Sequence, residues 1–314
     1  MLLLLGVYSV TGMYGSVPRD KALRLLRDAP GMGVAGFDTA GVYGRGLGER
    51  LLAEAFPRGH PLVMTKIGYD WSGPRPVLRM EPEFLVKEAR RAVERLGFRP
   101  VYLMQLHNPP FQALRRRDIY RALRLWVEEG LALHAGVALG PETDVLVEGL
   151  EALSHDEVEY IQVVYNMLEQ EPGRTLARIA RRSGVRVIVR VPHAGGVLDE
   201  TVTTPPRKLE DHRRLRRKGW YEWALNLYSR IKPLLAGHPG TPGQKALAWI
   251  RDTINPDYTV LTARNPERLE EYTSYTRVPP IPGEALENIR VLYEESLPDN
   301  PEKPSCTAIP RRKP

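Results

Sequence analysis

The sequence has 314 residues, of which 42% are hydrophobic and 26% charged, a composition that indicates a globular protein and excludes a disordered chain. This length could hold two average domains, but a single α/β barrel commonly reaches it. The formal net charge of +7 is compatible with binding to phosphates, whether on nucleic acid or on a phosphorylated cofactor, and does not discriminate between them.

The sequence contains one cysteine, Cys306, which lies in a proline-rich segment. A single thiol cannot form a disulfide framework or a thiolate metal site within one chain, so we expect a cytoplasmic protein. The apolar run from Leu2 to Val7 is too short for a signal peptide, and no run approaches the ~20 apolar residues of a membrane helix. We therefore expect no membrane association and interpret this run as a buried first strand.

Short apolar runs alternate with longer segments of helical periodicity along the chain. The eight predicted strands are residues 2–7, 33–37, 62–65, 101–106, 135–139, 160–164, 185–189 and 258–261. The helices are predicted at residues 20–28, 47–56, 83–96, 114–129, 142–153, 175–182, 243–251 and 266–272. Strands that are apolar on both faces and alternate with helices indicate a parallel sheet covered by helices. Eight such units predict a closed (β/α)8 barrel, the TIM barrel fold.

The alternative α/β fold is an open, doubly wound sheet, which places a G-x-G-x-x-G phosphate loop after its first strand. Here that loop contains Gly12 and Gly15 without the motif. The glycine-rich run from Gly44 to Gly48 also follows a strand and leads into a helix, but its third glycine has the wrong spacing. A tight turn into the helix explains this run equally well, and the barrel is the favoured fold.

One connection is longer than the length expected between a strand and a helix. It covers residues 191–240, after the seventh strand, and includes a basic segment, 207–218, and a predicted helix, 220–235. We interpret it as a lid-like insertion in a single domain of residues 1–297, followed by a proline- and arginine-rich tail, 298–314. The basic segment has no interleaved aromatic residues, so we interpret it as solvated and do not expect nucleic acid as a partner.

Proton-handling side chains stand at the ends of successive predicted strands. Asp38, Lys66 and His107 each end a strand, and Tyr43 lies just beyond the second one. Each has an ordinary structural explanation when taken alone: a helix cap, a surface charge, a core histidine and a rim aromatic. Because the carboxyl ends of barrel strands meet at one face, we expect the four to lie together as a catalytic group.

Their chemistry would be that of a general acid and its supports. A tyrosine titrates near 10, and we expect the Lys66 ammonium to lower the pKa of Tyr43. A buried lysine needs a carboxylate partner, for which Asp38 is the candidate. A neutral His107 could donate a hydrogen bond to a carbonyl oxygen. Since the histidines show no metal-ligand spacing and no nucleophile motif is present, the carbon would be attacked by a hydride from a nicotinamide cofactor.

The chain resembles the aldo-keto reductase family over residues 33–272. The matching stretches are Gly36-Phe37-Asp38-Thr39-Ala40, Tyr43-Gly44, Gly48-Glu49, Thr65-Lys66, Leu106-His107-Asn108-Pro109, Gly136-Val137, Ile161-Gln162-Val163-Val164-Tyr165-Asn166, Arg190-Val191-Pro192, Ala246-Leu247-Ala248-Trp249 and Ala263-Arg264-Asn265-Pro266-Glu267. The resemblance implies a (β/α)8 barrel. It also implies an enzyme that uses NADPH to reduce the carbonyl group of small-molecule aldehydes or ketones. It also implies that Asp38, Tyr43, Lys66 and His107 form the catalytic tetrad.

The resemblance further implies which residues hold NADP(H). Gln162 would bind the nicotinamide carboxamide, and Arg190 would lie near the nicotinamide. The backbone at Pro192, Gly196 and Leu198 would follow the pyrophosphate.

The last strand-to-helix loop carries the residues that the resemblance assigns to the adenine end of the cofactor. Arg264 and Asn265 match the family motif, and Glu271 is retained. The guanidinium of Arg264 could make paired hydrogen bonds to a 2′-phosphate, and Arg268 could add a second grip, which favours NADP over NAD.

Several positions depart from the family pattern. Ala138, Thr262 and Tyr272 replace residues that usually contact the cofactor. His193 replaces an apolar residue where it could line the substrate pocket, although an ordinary loop histidine is the favoured interpretation. These departures bear on cofactor preference and leave the tetrad intact. They also motivate a second hypothesis, a cofactor-sensing or interaction subunit with little turnover.

Overall fold

The computed structural model describes residues 1–140, 144–206 and 211–297. The predicted tail at 298–314 lies outside the described residues, as do part of the basic segment, 207–210, and the predicted start of the fifth helix, 142–143.

Eight parallel strands close into a barrel in which β1 pairs with both β8 and β2. The strands are β1 Leu2–Gly6, β2 Gly36–Asp38, β3 Val63–Ile67, β4 Val101–His107, β5 Ala132–Ala138, β6 Tyr160–Val164, β7 Arg186–Arg190 and β8 Tyr258–Leu261. Each predicted strand is present, with bounds that shift by up to three residues. The predicted (β/α)8 barrel is confirmed, and a short antiparallel hairpin, Tyr69–Asp70 with Val77–Leu78, was not predicted.

The helices cover the barrel from outside. They are α1 Arg19–Asp28, α2 Leu47–Ala55, α3 Pro82–Leu96, α4 Phe111–Leu114, α5 Arg117–Glu128, α6 Val145–Ala152, α7 Gly173–Arg182, α8 Trp220–Ile231, α9 Pro242–Thr253, α10 Pro266–Thr273 and α11 Gly283–Glu295. The predicted helix at 114–129 is divided into α4 and α5. Sequence periodicity did not identify α11, because this helix buries only Ile289 and Tyr293 and so has a short apolar stripe.

Two apolar cores result from this architecture. The larger lies between the strands and the helices and includes Trp126 and Trp249, which are fully buried. The smaller fills the barrel interior with side chains from six strands, namely Leu4, Met64, Leu103, Tyr160, Ile188, Tyr258 and Val260. This interior cluster forms an apolar floor under the carboxyl ends of the strands, where the predicted catalytic residues lie.

The strands β5 and β6 approach so closely at Gly136 that only glycine fits. A Cβ atom built at Gly136 would lie 2.4 Å from the carbonyl oxygen of Tyr160, a backbone atom that cannot move without disturbing β6. Gly136 pairs with Tyr160 of β6 on one side and with Gln105 of β4 on the other, so a side chain at this position would disturb the pairing of both neighbouring strands.

We predict that Gly136→Ala lowers the free energy of unfolding by about 1–3 kcal/mol, the usual cost of overpacking. Urea unfolding should show a lower midpoint at an unchanged slope. The matched control is Gly237→Ala, because a Cβ atom there meets nothing within 4 Å and its φ is ordinary. Equal stability of the two variants would contradict this account of the barrel.

Candidate active site

The predicted lysine and aspartate form a buried ion pair at the end of the barrel interior. Asp38 is the last residue of β2 and Lys66 lies in β3; both are almost completely buried. The ammonium of Lys66 donates to Asp38 Oδ1 at 2.6 Å and to the backbone oxygen of Thr39 at 2.9 Å. The two strands are neighbours, so their pairing brings these groups together without a further loop.

A third strand completes this pair from across the barrel. Gln162 of β6 donates from Nε2 to Asp38 Oδ2 at 2.8 Å. Both oxygens of the Asp38 carboxylate therefore accept a hydrogen bond, as a buried carboxylate requires. The resemblance assigned Gln162 to the cofactor, and in this structure its amide also supports Asp38.

The phenol and the imidazole lie above the ion pair. The Lys66 ammonium is 5.2 Å from the centroid of the Tyr43 ring, and the His107 ring is 5.8 Å from it at an interplanar angle of 82°. His107 is the last residue of β4, and Tyr43 lies in the loop between β2 and α2. The structure thus brings together the four residues that the sequence pattern indicated.

The expected lowering of the Tyr43 pKa is wrong. Burial and the neighbouring Asp38 raise the pKa of Tyr43, and the positive charge of Arg190 only partly opposes them. The main physical reason is the burial of the phenol, and the Asp38 carboxylate in contact with Lys66 acts in the same direction. Burial lowers the pKa of Lys66, against the attraction of Asp38. Tyr43 therefore carries its proton at neutral pH.

His107 is neutral in the same surroundings. Burial holds the pKa of His107 well below its ordinary value, and the positive charges of Lys66 and Arg190 act in the same direction. A neutral imidazole has one N–H to donate and one nitrogen that accepts. The site therefore combines a protonated phenol with a neutral imidazole, the two forms needed to donate hydrogen bonds to a carbonyl oxygen.

Two buried polar atoms at the barrel mouth fit an additional bound group. Arg190, at the end of β7, donates to the backbone oxygen of Leu139 at 2.5 Å, while its Nε has no partner among residues 1–140, 144–206 and 211–297. Asn108, next to His107, donates to the Tyr69 hydroxyl at 3.3 Å, and its Oδ1 has no partner within the same ranges. A free N–H and a free oxygen at one mouth suit a polar, amide-bearing ligand such as a nicotinamide.

The residues expected at the adenine end are engaged with the protein itself. Arg264 donates to the backbone oxygens of residues 14, 15 and 16 at 3.1, 3.3 and 3.1 Å, which fixes the loop after β1. Asn265 caps α10 by accepting from the backbone N–H of Arg268 at 2.9 Å. Arg268 pairs with Glu271 at 2.7 Å. Arg268 is therefore the guanidinium that a phosphate could recruit without releasing that loop.

Two of the residues that depart from the family pattern, His193 and Tyr272, contact each other. The rings of His193 and Tyr272 stack at 4.1 Å, and both are buried. The Tyr272 hydroxyl donates to Asp199, and His193 Nε2 lies 3.2 Å from the backbone oxygen of Gly243. His193 therefore packs between the β7 loop and α10, in agreement with the favoured interpretation as an ordinary loop histidine.

A row of aromatic rings crosses the barrel mouth, and sequence analysis did not identify it. From Tyr14 the row passes through Tyr8, Tyr43 and His107 to Tyr69, with centroid separations of 5.1, 4.8, 5.8 and 5.0 Å. Every contact is edge to face, the geometry that the charge distribution of the rings favours. Aromatic residues in the loops after β1 and β3 were the available signal, but periodicity does not position loops.

The interpretation of the basic segment as solvated is wrong for part of it. Arg216 makes a buried pair with Glu169 at 2.5 Å and stacks on Trp220 at 3.6 Å. Arg213 pairs with Asp211 at 2.6 Å. Both partners of Arg216 lie outside the segment, Glu169 elsewhere in the chain and Trp220 in the next helix, so composition within the segment could not reveal them.

A buried cluster of charges supports the loop that carries Tyr43. Arg95 binds Glu49 at 2.5 Å and Glu88 at 2.8 Å, and its guanidinium lies 5.1 Å from the centroid of Trp71. A Cβ atom at Gly41, in the Tyr43 loop, would lie 3.0 Å from Arg95. Sequence analysis missed this cluster because its members lie on different elements, and it packs against the loop that carries Tyr43.

The described ranges contain neither a metal-ligand cluster nor a membrane-spanning helix. Residues 1–140, 144–206 and 211–297 contain no group of three or more His, Cys, Asp or Glu that could hold a metal ion. Within the same ranges, no helix has the length and apolar character to cross a membrane.

Comparisons with known proteins agree with the fold and identify the family. An oxidoreductase of Schizosaccharomyces pombe described as uncharacterized is 27% identical, covering 71% of this chain and 71% of its own length. An aldo-keto reductase of the same organism, whose name includes NADP(+), is 23% identical over 78% of this chain and 74% of its own. The solved glycerol dehydrogenase of Gluconobacter oxydans superposes with a TM-score of 0.76 at 21% identity, covering 98% of this chain and 95% of that one. The family model for the aldo/keto reductases, which are oxidoreductases, matches residues 2–294. The chain therefore belongs to the aldo/keto reductase family.

Proposed function

We propose that this protein is an NADPH-dependent enzyme that reduces aldehyde or ketone carbonyls to alcohols. The observation that carries the proposal is the protonated Tyr43 beside a neutral His107, above the buried pair of Lys66 and Asp38. These are a proton donor and a hydrogen-bond donor at the mouth of a barrel, where enzymes of this fold have their sites. The insertion at 191–240 would act as a lid over this mouth.

In the proposed reaction the carbonyl oxygen lies between Tyr43 and His107. The N–H of His107 orients the oxygen and stabilises its growing negative charge. NADPH, when bound, supplies the hydride that the carbonyl carbon accepts. Tyr43 gives its proton to the oxygen, because an alkoxide is a stronger base than a phenolate even when the pKa of the phenol is raised.

Lys66 and Asp38 stabilise the phenolate that Tyr43 becomes after it has given up its proton. The phenolate left on Tyr43 is stabilised by the Lys66 ammonium, which lies 5.2 Å from the ring centroid. Asp38 keeps Lys66 charged in a buried site, and Gln162 keeps Asp38 in place. The ammonium of the pair thus lies beside the group that changes charge.

The proposal includes the cofactor and the cellular setting. We assign the nicotinamide end to Gln162 and Arg190, and the pyrophosphate to the backbone at Pro192, Gly196 and Leu198. The 2′-phosphate is assigned chiefly to Arg268. A phosphate can replace the single ion pair of Arg268 with Glu271 more easily than the three hydrogen bonds from Arg264 to backbone oxygens. The relative whose name includes NADP(+) supports NADP(H) as the cofactor. The single cysteine, Cys306, supports a cytoplasmic setting.

We predict that Tyr43→Phe lowers kcat/KM for aldehydes by about 10²–10⁴-fold, the usual contribution of a general acid. The assay is the loss of NADPH absorbance, and fluorescence titration should show unchanged NADPH binding. Tyr275→Phe is the control, because the hydroxyl of this tyrosine donates to the backbone oxygen of Met1, at the amino end of β1 and opposite the carboxyl ends of the strands. Full activity of Tyr43→Phe would refute the mechanism.

The rate of reduction should be nearly independent of pH between about 6.5 and about 10, the ordinary pKa values of histidine and tyrosine. The pKa of His107 is lowered, so His107 becomes charged only below this range; the pKa of Tyr43 is raised, so Tyr43 loses its proton only above it. The measurement is kcat at saturating NADPH and aldehyde in a series of buffers. A tenfold fall between about pH 7 and about pH 9 would show that the pKa of Tyr43 is lowered.

We predict that Arg268→Gln weakens NADPH binding about tenfold, the effect of losing one charge-assisted contact, and leaves NADH binding unchanged. Paired fluorescence titrations with the two cofactors measure this difference. Arg24→Gln, an exposed change on α1, is the control for the loss of positive charge. Equal effects on NADPH and NADH would remove Arg268 from the phosphate site.

The second candidate function is a cofactor-sensing or interaction subunit with little turnover. It shares the barrel and the proposed cofactor site, so the two functions differ in catalysis alone. Tight NADPH binding without turnover of any aldehyde, together with a co-purifying partner, would favour this second function.

A further inference from the structure

A cavity opens at the end of the barrel opposite the proposed catalytic site. It has a volume of about 510 Å³ and lies at the amino ends of β1, β7 and β8, which begin with Leu2, Arg186 and Tyr258. Arg181, in the last turn of α7, forms another part of its wall. This volume lies within the range of pockets that bind small molecules, about 300–1,000 Å³. The residues that line it within the described ranges include neither the tetrad nor the proposed cofactor residues.

The guanidinium of Arg186 is only loosely paired with protein groups. Oε2 of Glu159 is 3.9 Å away, and this oxygen already contacts Nδ1 of His134 at 2.6 Å. Arg186 donates one hydrogen bond, to the hydroxyl of Tyr102 at 3.3 Å, and its guanidinium lies 4.4 Å from the centroid of Tyr160. A guanidinium has five N–H groups. Most of those of Arg186 therefore have no acceptor among the described residues.

Three phenols beside Arg186 leave one further hydrogen-bond donor. Tyr258 donates to the hydroxyl of Tyr102 at 3.2 Å, and the hydroxyls of Tyr102 and Tyr160 are 2.7 Å apart, a contact that uses one proton. Burial raises the pKa of Tyr160 and of Tyr258, so both keep their protons. Whichever of Tyr102 and Tyr160 donates to the other, the proton of the acceptor has no partner within the described ranges. One O–H thus remains for an additional acceptor.

The other charged groups of the cavity wall favour an anion. Arg181 donates from Nη2 to the backbone oxygens of Ile254 and Asn255, and it makes no ion pair within the described ranges. The carboxylate of Asp257 also lines the cavity, and its Oδ2 accepts from the backbone N–H of Val187 at 2.8 Å. Two guanidinium groups and one carboxylate give the described lining side chains a net charge of +1. This charge matches a monoanion.

Part of the wall is apolar and exposed to solvent. Leu2 is 54% exposed, although it belongs to a barrel strand. Val185 and Pro256 also line the cavity. A ligand that covers these side chains removes apolar surface from water, which is favourable. An inorganic ion offers no such surface, so the wall suits an organic anion.

We propose that this cavity binds a small carboxylate with an apolar body, at a second site that is separate from the proposed catalytic site. The carboxylate accepts paired hydrogen bonds from the guanidinium of Arg186 and one from the remaining phenol O–H, and Arg181 adds positive charge. The apolar body lies against Leu2, Val185 and Pro256. Binding at this end of the barrel does not depend on the proposed carbonyl reduction.

The test is a titration of the full chain with 4-fluorobenzoate, followed by fluorine NMR. The wild type should bind this anion. The amide 4-fluorobenzamide has nearly the same shape and no charge, and it should bind about tenfold more weakly, the effect of one charge-assisted contact. Equal binding of the two compounds, or no binding of 4-fluorobenzoate, would overturn the proposal.

Matched variants locate the bound anion. Arg186→Gln should weaken the binding of 4-fluorobenzoate about tenfold, and Arg181→Gln should change it in the same direction. Arg124→Gln, which removes an exposed guanidinium from α5, should leave binding unchanged. Tyr43→Phe should also leave it unchanged. Loss of binding in Tyr43→Phe without loss in Arg186→Gln would place the anion at the catalytic end of the barrel and refute the second site.

Two more measurements separate recognition from folding and carboxylate from phosphate. Urea unfolding shows whether Arg186→Gln retains the fold. If it does not, the decision rests on Arg181→Gln, and unchanged binding in that variant refutes the proposal. Phenyl phosphate carries about two negative charges at neutral pH and should bind more weakly than 4-fluorobenzoate, because the wall has a net charge of +1. Tighter binding of phenyl phosphate would contradict the assignment to a carboxylate.

Discussion

The buried contact between Lys66 and Asp38 is the interaction on which the site depends. Removing two charges from water is costly, and such a pair persists only when its geometry is good and its remaining polar atoms are bound. Here Thr39 and Gln162 supply those bonds, so the pair joins β2, β3 and β6. Loss of one partner would leave an isolated buried charge, which typically costs about 3–5 kcal/mol. Asp38 also acts on the group above it, because together with burial it raises the pKa of Tyr43 and so keeps the phenol protonated.

The apolar floor of the barrel keeps this chemistry at one end. Below the ion pair lie the interior residues around Met64 and Leu103, and below these a group of tyrosine hydroxyls, in which Tyr102 and Tyr160 are 2.7 Å apart. A cavity of about 510 Å³ opens at that opposite end, next to Arg186. The apolar side chains of the interior cluster lie between this cavity and the ion pair, so the cavity is separate from the proposed site.

The long connection after β7 makes two separate sets of contacts with the barrel, which its amino-acid composition did not reveal. Near its start, His193 and Asp199 bind Tyr272 and so fasten the connection to α10. Further on, Arg216 and His212 dock it against Glu169 and Tyr8. The first contact shapes the proposed cofactor site and the second shapes the substrate side, so changes in one stretch of chain can alter both.

The sequence by itself determined the barrel and the positions of the tetrad, because both depend on local patterns. Alternating apolar runs and amphipathic helices specify parallel strands, and parallel strands deliver their last residues, such as Asp38 and His107, to one face. Only the tertiary structure decided which groups touch across that face. Gln162 meets Asp38 over 124 positions and His212 meets Tyr8 over 204, and no periodicity encodes such distances. The direction of the Tyr43 pKa was decided in the same way, since it depends on burial and on the neighbouring Asp38 carboxylate.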